Sequence, residues 1–159
     1  MPADQQEQGQ PIAAGDVNLR PLSAADAAAL AAGDFRRIQP GEGWPHEDSL
    51  DGLRMAAGGY GVAWLITLGD LVVGECGTHG SPDQDGVVEI GYGLAAPYRG
   101  RGHGGRTVRA LAHWLLRQPG ITAVLAHTDP QNVPSRRSLE SAGFVLEGTF
   151  RGECRYRLS

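Results

Sequence analysis

The chain has 159 residues, of which 41% are hydrophobic and 20% are charged, and its formal net charge is −4. This length and composition predict one soluble globular domain with a buried core. The negative net charge argues against nucleic acid as a partner, because proteins that bind nucleic acid present a basic surface. No apolar run approaches the roughly 18 residues that span a bilayer, and the first residues lack the apolar core of a signal peptide. We therefore expect a cytoplasmic protein that does not bind a membrane.

The chain begins with a segment that we expect to be a disordered leader. Residues 1–16 are rich in Gln, Ala, Gly and Pro and show no periodicity, so a single domain is predicted at 17–159. The two cysteines, Cys76 and Cys154, form neither a CxxC pair nor a set with the spacing of metal ligands. We predict that both are buried thiols and that the protein has no metal centre.

Apolar periodicity divides the domain into strands and helices. In chain order these are a strand at 17–22, a helix at 24–32, a loop at 39–52 that joins a short helix near 50–57, strands at 61–68, 71–77 and 87–94, a helix at 104–117, a strand at 121–128, a helix at 132–142, and strands at 144–150 and 154–158. The order of these elements predicts an α/β (α+β) fold with mixed strand pairing.

The segment 98–106 (YRGRGHGGR) lies between a predicted strand and a predicted helix. Its glycines let backbone N–H groups approach a ligand, and the start of the helix adds unpaired N–H donors and a partial positive charge. Phosphate is the usual anion at such a site. A plain turn would explain the glycines but not the arginines, so we interpret the segment as a phosphate-binding loop.

A dinucleotide-binding module is one alternative for this loop. Gly100, Gly102 and Gly105 fit the pattern GxGxxG, and Asp129 follows the next strand roughly where a ribose-binding acid belongs. However, Pro97 and Tyr98 separate the strand from the first glycine, and too little chain follows the motif for a Rossmann domain.

Two sequence blocks resemble a known family more closely. Residues 99–104 (RGRGHG) fit the loop pattern [Q/R]-x-x-G-x-[G/A], and the preceding EIGYGLAAPY resembles the strand that leads into that loop. Downstream, TDPQNVPS and SLESAGF resemble the block N-x-x-S-x-x-x-L-E-x-x-G-F. Together the two blocks resemble the GNAT superfamily of N-acetyltransferases, in its ribosomal-protein-type (RimJ/RimL-like) branch. The resemblance extends over 17–158 and is specific over 89–144.

The resemblance implies the GNAT fold, a mixed and mostly antiparallel sheet of about six to seven strands with helices on both faces. Two central strands would splay apart where acetyl-CoA, the co-substrate, binds. Pantetheine would pair with the strand near Leu94 and Ala96, and pyrophosphate would lie on the loop. The cofactor-binding residues implied are Leu94, Ala96, Arg99, Arg101, Gly102, His103, Gly104, Gly105, Arg106 and Asn132. The His103 side chain, in a variable loop position, is expected in solvent, while Arg106 would contact a CoA phosphate or remain a surface residue.

The implied reaction is direct attack of a primary amine on the thioester, which requires removal of a proton because an alkyl ammonium has a pKa near 10. We predict Glu89 as the base, on the same strand face as Gly91 and Gly93. Ser135 is predicted to protonate the leaving thiolate, since Leu139 stands where many relatives carry a tyrosine. The alternatives are a salt-bridged strand carboxylate for Glu89 and a helix first-turn role for Ser135.

The acceptor site is predicted in and near the early loop. Trp44, His46 and His79 are the candidate substrate contacts, and Glu42, Glu47 and Asp48 make the loop acidic, which suits a cationic small-molecule or peptide amine. The resemblance also suggests a homodimer through the C-terminal strands. A CoA-binding domain of the same fold without catalysis is the second alternative function.

Overall fold

The computed structural model describes residues 9–159 of the chain. Within that range the strands are β1 (Ile12–Ala14), β2 (Val17–Leu22), β3 (Gln39–Pro40), β4 (Ala63–Leu68), β5 (Leu71–His79), β6 (Val87–Leu94), β7 (Ala123–Thr128), β8 (Val145–Phe150) and β9 (Glu153–Leu158). The helices are α1 (Ala24–Ala31), α2 (Glu47–Ala57), α3 (His103–Leu116) and α4 (Val133–Ser141), with a 3₁₀ turn at Ala96–Tyr98. The part of the chain so described contains no helix long and apolar enough to cross a bilayer.

The strands form one mixed sheet in the order β1-β2-β4-β5-β6-β7-β9-β8, with β3 beside β5. Pairing is antiparallel except between β6 and β7 and between β3 and β5. The predicted mixed, mostly antiparallel sheet is confirmed, but it has nine strands in residues 9–159 rather than six to seven. The additional strands β1 and β3 have three and two residues, and such short strands cannot show an alternating pattern.

The prediction of a disordered leader is wrong for residues 9–16. Strand β1 pairs antiparallel with β2, and Ile12 and Ala14 are buried in the core. The indole Nε1 of Trp64 donates a hydrogen bond of 2.7 Å to the carbonyl of Gln10. Residues 1–8, the rest of the predicted leader, lie outside the described residues.

Helices cover both faces of the sheet, as predicted. On one face α3 and α4 pack on the strands, with Val108, Leu111 and Leu139 in the core. On the other face α1 and α2 pack on β4 and β5, with Leu30 and Leu53 in a second core. The free thiols Cys76 and Cys154 are both buried, as predicted, and burial raises the pKa of the Cys76 thiol.

The two central strands part before β6 ends. The parallel pairing of β6 with β7 runs from Val87 to Ile90 and then stops, whereas β6 continues to Leu94. On its other side β6 stays paired with β5 as far as Leu94. The sheet is therefore open between β6 and β7 at the end of β6 that leads into the loop.

Candidate active site

A cleft of about 1160 Å³ lies at the open end of the sheet. Its walls come from α2, from the ends of β5 and β6, from the loop before α3, and from the first turns of α3 and α4. A second cavity of about 280 Å³ lies beside α1. There Arg36 pairs with Asp34 and Arg37 with Asp26, so those charges are already partnered. Most of the site residues predicted from the sequence line the larger cleft.

The charged side chains divide this cleft into two ends. At the loop end stand four arginines, Arg99, Arg106, Arg109 and Arg137. At the α2 end stand three carboxyl groups, Asp48, Asp51 and Glu75. Such an arrangement attracts an anion to one end and a cation to the other. Arg109 and Arg137 were not predicted in the cleft from the sequence, although Arg109 follows Arg106 by one helical turn.

The edge of β6 turns backbone N–H groups toward the cleft. Ala95 donates its N–H to Val73 of β5 at 2.8 Å, and backbone groups alternate in direction along an antiparallel strand. Gly93 therefore bonds toward β5, while the N–H groups of Tyr92 and Leu94 point to the side where β7 has departed. The Leu94 carbonyl on that side accepts a hydrogen bond of 2.9 Å from Arg99 Nε. This edge can pair with an extended ligand.

The loop before α3 has the conformation that its glycines allow. Gly100 and Gly102 have φ values of 78° and 82°, and Gly102 is the N-cap of α3. Because the first N–H groups of a helix have no partner within it, the turn after Gly102 presents donors toward the cleft. A Cβ placed on Gly102 would lie 2.8 Å from Arg106 Nη1. The loop thus forms a cradle for an anion that a side chain at Gly102 would fill.

Two further glycines of the motif also serve helix packing. A Cβ on Gly104 would lie 3.1 Å from Ser138 Oγ, and a Cβ on Gly105 would lie 2.8 Å from Ser141 Oγ. Gly104 and Gly105 therefore let α4 approach the first turn of α3. Part of the glycine signal in the sequence reflects this contact between helices.

Three residues predicted to contact the cofactor are placed differently from expectation. Ala96 lies in the 3₁₀ turn after β6 and outside the cleft wall, so it does not extend the strand edge. Arg101 is exposed outside the cleft wall, and its carbonyl accepts a hydrogen bond of 3.0 Å from Arg106 Nη2. His103 is only 5% exposed, which contradicts the expected solvent position. Its Nδ1 lies 3.0 Å from Arg106 Nη2 because the first turn of α3 packs inward.

Arg106 lines the cleft and already has a carboxylate partner. Its Nε lies 2.9 Å from Asp16 Oδ1, at the turn between β1 and β2. Asn132, also in the cleft wall, caps α4 by accepting a hydrogen bond of 3.2 Å from the Ser135 N–H. The side chains of Arg106 and Asn132, both predicted to contact the cofactor, therefore each have a partner within the protein.

The hydroxyl of Ser135 meets a tyrosine that the sequence analysis did not single out. Tyr92 Oη lies 3.1 Å from Ser135 Oγ, and both residues line the cleft. On α4 the buried Leu139 stands where many relatives carry a tyrosine, so this helix supplies no phenolic hydroxyl to the cleft. A phenolic hydroxyl comes instead from β6, which no motif on α4 could reveal.

Glu89 is held between two histidines. Its carboxylate lies 2.8 Å from His79 Nδ1 and 3.2 Å from His127 Nδ1. Glu89 is not part of the cleft wall, whereas His79 is. The ring of His79 covers Gly91, with Nε2 2.5 Å from the position of a Cβ there. A carboxylate bound to Nδ1 leaves Nε2 of a neutral imidazole free to accept a proton.

Glu75 is a carboxyl group in the cleft wall that was not predicted from the sequence. It lines the cleft, and its Oε1 accepts a hydrogen bond of 2.9 Å from Trp44 Nε1. Burial raises the pKa of Glu75 to about 7, against the lowering effect of hydrogen bonds from Ser49 and Trp44. The available signal was a single acid within the apolar run LVVGECG, since an acid there must be buried or paired.

The other two predicted substrate contacts have different surroundings. Trp44 is only 4% exposed and belongs to the core under α2, so it supports Glu75 and does not face a substrate. His46 lines the cleft, and its Nδ1 lies 2.8 Å from Ser49 Oγ. Burial, together with the charge of Arg99, lowers the pKa of His46.

Comparison with known proteins identifies the family. A family model described as an acetyltransferase (GNAT) domain matches residues 16–145. This chain belongs to the GNAT acetyltransferase family. The fold predicted from the two sequence blocks is confirmed.

Several GNAT proteins are similar to this chain. YjdG of Bacillus subtilis, an uncharacterised N-acetyltransferase, is 30% identical over 86 residues, which are 53% of this chain and 51% of that protein. The aminoglycoside acetyltransferase AAC(6')-Ib, solved with coenzyme A, is 25% identical with a TM-score of 0.67, covering 90% of this chain and 94% of that one. RimL, a ribosomal L7/L12 α-N-protein acetyltransferase solved with coenzyme A, is 19% identical with a TM-score of 0.68, covering 94% and 97%. The curated relative YjdG is matched over only about half of its length.

Proposed function

We propose that this protein transfers the acetyl group of acetyl-CoA to the primary amine of a cationic small molecule or peptide. The observation that carries the proposal is the cleft with two ends, in which a glycine loop with arginines adjoins an unpaired strand edge and faces an acidic wall. The names of two similar structures support both parts of the proposal, the cofactor and the amine acceptor. AAC(6')-Ib is solved with coenzyme A and kanamycin, and RimL is named for a protein amine.

The residues of the loop end fit a CoA molecule. The cradle at Gly102 would be filled by a Cβ, and the N–H groups of the following turn suit a pyrophosphate. Arg99, Arg109 and Arg137 would neutralise phosphate charge, and Arg106 would do so by releasing Asp16. When bound, acetyl-CoA would supply the activated acetyl group.

The remaining residues would orient the amine and handle charge. Asp48 and Asp51 would attract the cationic acceptor to the α2 end of the cleft. The Leu94 N–H, which points away from β5, would donate to the oxygen that becomes negative during attack. The hydroxyl pair of Ser135 and Tyr92 would donate to the departing sulfur. Glu89 as the base stays a prediction from the family resemblance, and its carboxylate contacts His79 Nδ1 at 2.8 Å.

The test of the cofactor is thermal unfolding with acetyl-CoA, CoA, NAD and no ligand. A ligand at about 100 times its dissociation constant adds roughly 2.7 kcal/mol of stability, which gives a clear shift. We expect the shift with acetyl-CoA and CoA only. A shift with NAD alone would instead support the dinucleotide module. A CoA shift without thiol release from acetyl-CoA in the presence of spermidine, kanamycin or a peptide with a free N-terminus would support a binding domain without catalysis.

The hydroxyl pair can be tested by substitution. We expect Ser135→Ala to lower kcat modestly, because Tyr92 still presents a hydroxyl, and Ser135→Ala with Tyr92→Phe to lower it about 100-fold, in the range of general acid catalysis. The affinity for CoA should stay near that of the wild type. Thiol release under saturating acetyl-CoA measures the effect, and a double variant with undiminished kcat would exclude the pair as the proton donor.

The homodimer stays a prediction. Strand β8 lies at the edge of the sheet, and Val145, Leu146 and Phe150 on it are exposed. The C-terminal hairpin therefore has apolar surface available, and light scattering after size-exclusion chromatography would measure the oligomeric state.

A further inference from the structure

We infer that Glu75 is the general base that removes the proton from the acceptor amine, an assignment that rests on the acetyltransferase function proposed above. Glu75 lies on β5, the strand beside the one that ends in the phosphate loop. Sequence similarity to the family pointed to β6 for this role. The geometry points to the neighbouring strand.

The position of the carboxylate follows from strand register. Glu75 is the direct partner of Gly93 on β6, and the two side-chain positions lie on the same face. Glu75 Oε2 lies 2.5 Å from the place a Cβ on Gly93 would occupy. The carboxylate thus covers Gly93, one residue before Leu94, whose N–H faces the open side of the sheet. A base at this point stands on the acceptor side of the strand edge where we place the thioester.

The surroundings hold this carboxylate in one place. On one side Trp44 Nε1 donates to its Oε1 at 2.9 Å, and on another lies the fully buried Ser49 of α2, whose hydroxyl lowers the Glu75 pKa. The α2 backbone also passes close by, since a Cβ on Gly52 would lie 3.8 Å from Glu75 Cγ. A base that keeps its rotamer without substrate is already oriented when the amine arrives.

The electrostatic environment suits proton abstraction near neutral pH. The charged and titratable groups that face Glu75 are Asp48 of α2 and His46 before it, and Arg99 of the loop acts on His46. Burial is the main cause that raises the Glu75 pKa to about 7, and the charge of Asp48 adds to it. A carboxylate with this pKa accepts a proton from an ammonium group more readily than an ordinary one, yet it is still ionised at neutral pH to a useful extent.

Ser49 and His46 are polar groups beside the Glu75 carboxylate that can help to pass its proton to solvent. The Ser49 hydroxyl, which lowers the Glu75 pKa, lies 2.8 Å from His46 Nδ1. His46 lines the cleft, and its ring approaches the same point over Gly93, with Cε1 and Nε2 each 3.4 Å from that Cβ position. Ser49 and His46 therefore place polar groups beside the Glu75 carboxylate, which itself lines the cleft.

The proposed step balances in atoms and charge. The ammonium group of the acceptor gives one proton to Glu75, and the freed nitrogen lone pair forms the C–N bond at the thioester carbon. The C–S bond then breaks, and its electron pair leaves with sulfur. The nitrogen gives up its second proton, sulfur takes up one proton, and the products are an amide and a thiol. Glu75 returns its proton to solvent, so one proton is released in each turnover.

Glu89 is less suited to this step. Its two oxygens are each taken by a histidine Nδ1, and its strand partner is His79 at the far end of β5. It lies four residues before Gly93 on β6, outside the wall of the cleft. We infer that Glu89 orients the ring of His79 and is therefore a positioning residue.

The experiment compares Glu75→Gln with Glu89→Gln in the full chain. Acetyl-CoA is supplied with spermidine, kanamycin and a peptide with a free N-terminus in turn, and thiol release is followed from pH 5.5 to 9. We expect Glu75→Gln to lower kcat at least 100-fold and to abolish the rise of kcat/KM with pH near 7, while the thermal shift with acetyl-CoA is unchanged. Glu89→Gln should lower kcat by about tenfold or less and keep the rise of kcat/KM with pH. Asp70→Asn, in the exposed turn between β4 and β5, should behave as wild type.

The outcomes separate the two proposals. If the wild type and Glu75→Gln release thiol at equal rates with equal pH profiles, Glu75 is not the base, although the acetyltransferase function stands. If Glu89→Gln shows the larger loss and the altered profile, the assignment is reversed. If the wild type neither binds acetyl-CoA nor releases thiol with any of the three amines, the proposed function fails and this assignment fails with it.

A second variant tests the assignment without removing the carboxylate. Trp44→Phe deletes the indole N–H that lowers the pKa of Glu75. We expect the rise of kcat/KM to move to higher pH, since the carboxylate must be ionised to act. A rise that stays at the wild-type pH in this variant would contradict the assignment of that rise to Glu75.

Discussion

Replacing Gly102 with valine is expected to weaken the binding of acetyl-CoA at least 100-fold. Gly102 is the N-cap of α3 with φ of 82°. A β-branched residue rarely adopts this conformation, and the strain costs about 1–3 kcal/mol. The new side chain would also lie against Arg106, whose Nη1 is 2.8 Å from the position of the Cβ. The substitution therefore fills the anion cradle and disturbs the turn whose N–H groups are to bind phosphate.

A matched glycine separates the loss of binding from the loss of stability. Gly152, in the turn between β8 and β9, has φ of 83° and no atom within 4 Å of its Cβ position. Gly152→Val should therefore be strained to a similar extent while leaving the cleft intact. Calorimetric titration of both variants with acetyl-CoA, each checked for folding by circular dichroism, measures the difference. Wild-type affinity in Gly102→Val would show that the loop does not hold the phosphates.

Replacing Glu75 with glutamine is expected to stabilise the fold above neutral pH by up to roughly 3 kcal/mol. Burial raises the pKa of this carboxyl from 4.5 to about 7 in the folded protein. Between these two pH values the folded state holds a proton that the unfolded state has released, so stability falls as pH rises through this window. Glutamine has no charge to bury, and its amide oxygen can still accept from Trp44.

The measurement is urea unfolding of both proteins at pH 4.5 and pH 8. Because other groups titrate alike in the two proteins, the difference between them isolates Glu75. We expect nearly equal stability at pH 4.5 and a more stable variant at pH 8. A variant that is less stable by the same amount at both values would mean that burial of the charge is not costly and that its hydrogen bonds dominate. Asp70→Asn should give no pH-dependent difference.

These two predictions concern opposite ends of one cleft and differ in what they reveal. The change at Gly102 tests whether the backbone of the loop binds the cofactor. The change at Glu75 tests whether the protein keeps a carboxylate in a place that destabilises the fold, which is a common cost of a site prepared for catalysis. A variant that is more stable and less active would agree with that interpretation.

The backbone of the loop before α3 and the cap of α4 could be predicted because their signals are local. The left-handed turn at Gly102 and the capping of α4 by Asn132 each depend on residues within about four positions in the chain. The apolar face of α3 follows from the same short range, and Val108 and Leu111 are buried as the periodicity indicated. Two family blocks then placed these elements in one fold.

The α2 end of the cleft and the Tyr92–Ser135 pair could not be predicted in the same way. Trp44 and Glu75 are 31 positions apart, and their hydrogen bond exists only because α2 and its preceding loop pack over β5. Tyr92 and Ser135 are 43 positions apart and meet where α4 crosses the open end of β6. A sequence pattern around any one of these four residues shows that residue but not the partner it meets in the fold.

The sequence by itself therefore determined the family, the glycine turn before α3 and the order of the four helices and seven longer strands in residues 9–159, since each depends on periodicity, turn chemistry or a contiguous motif. Only the tertiary structure decided that Glu75 and not Glu89 lines the cleft, that His103 is buried, and that Trp44 bonds to Glu75 from the core. The physical reason is that the pKa and the exposure of a side chain depend on desolvation and on charges from other segments. Those are fixed by strand register and helix packing, at distances along the chain that no local pattern spans.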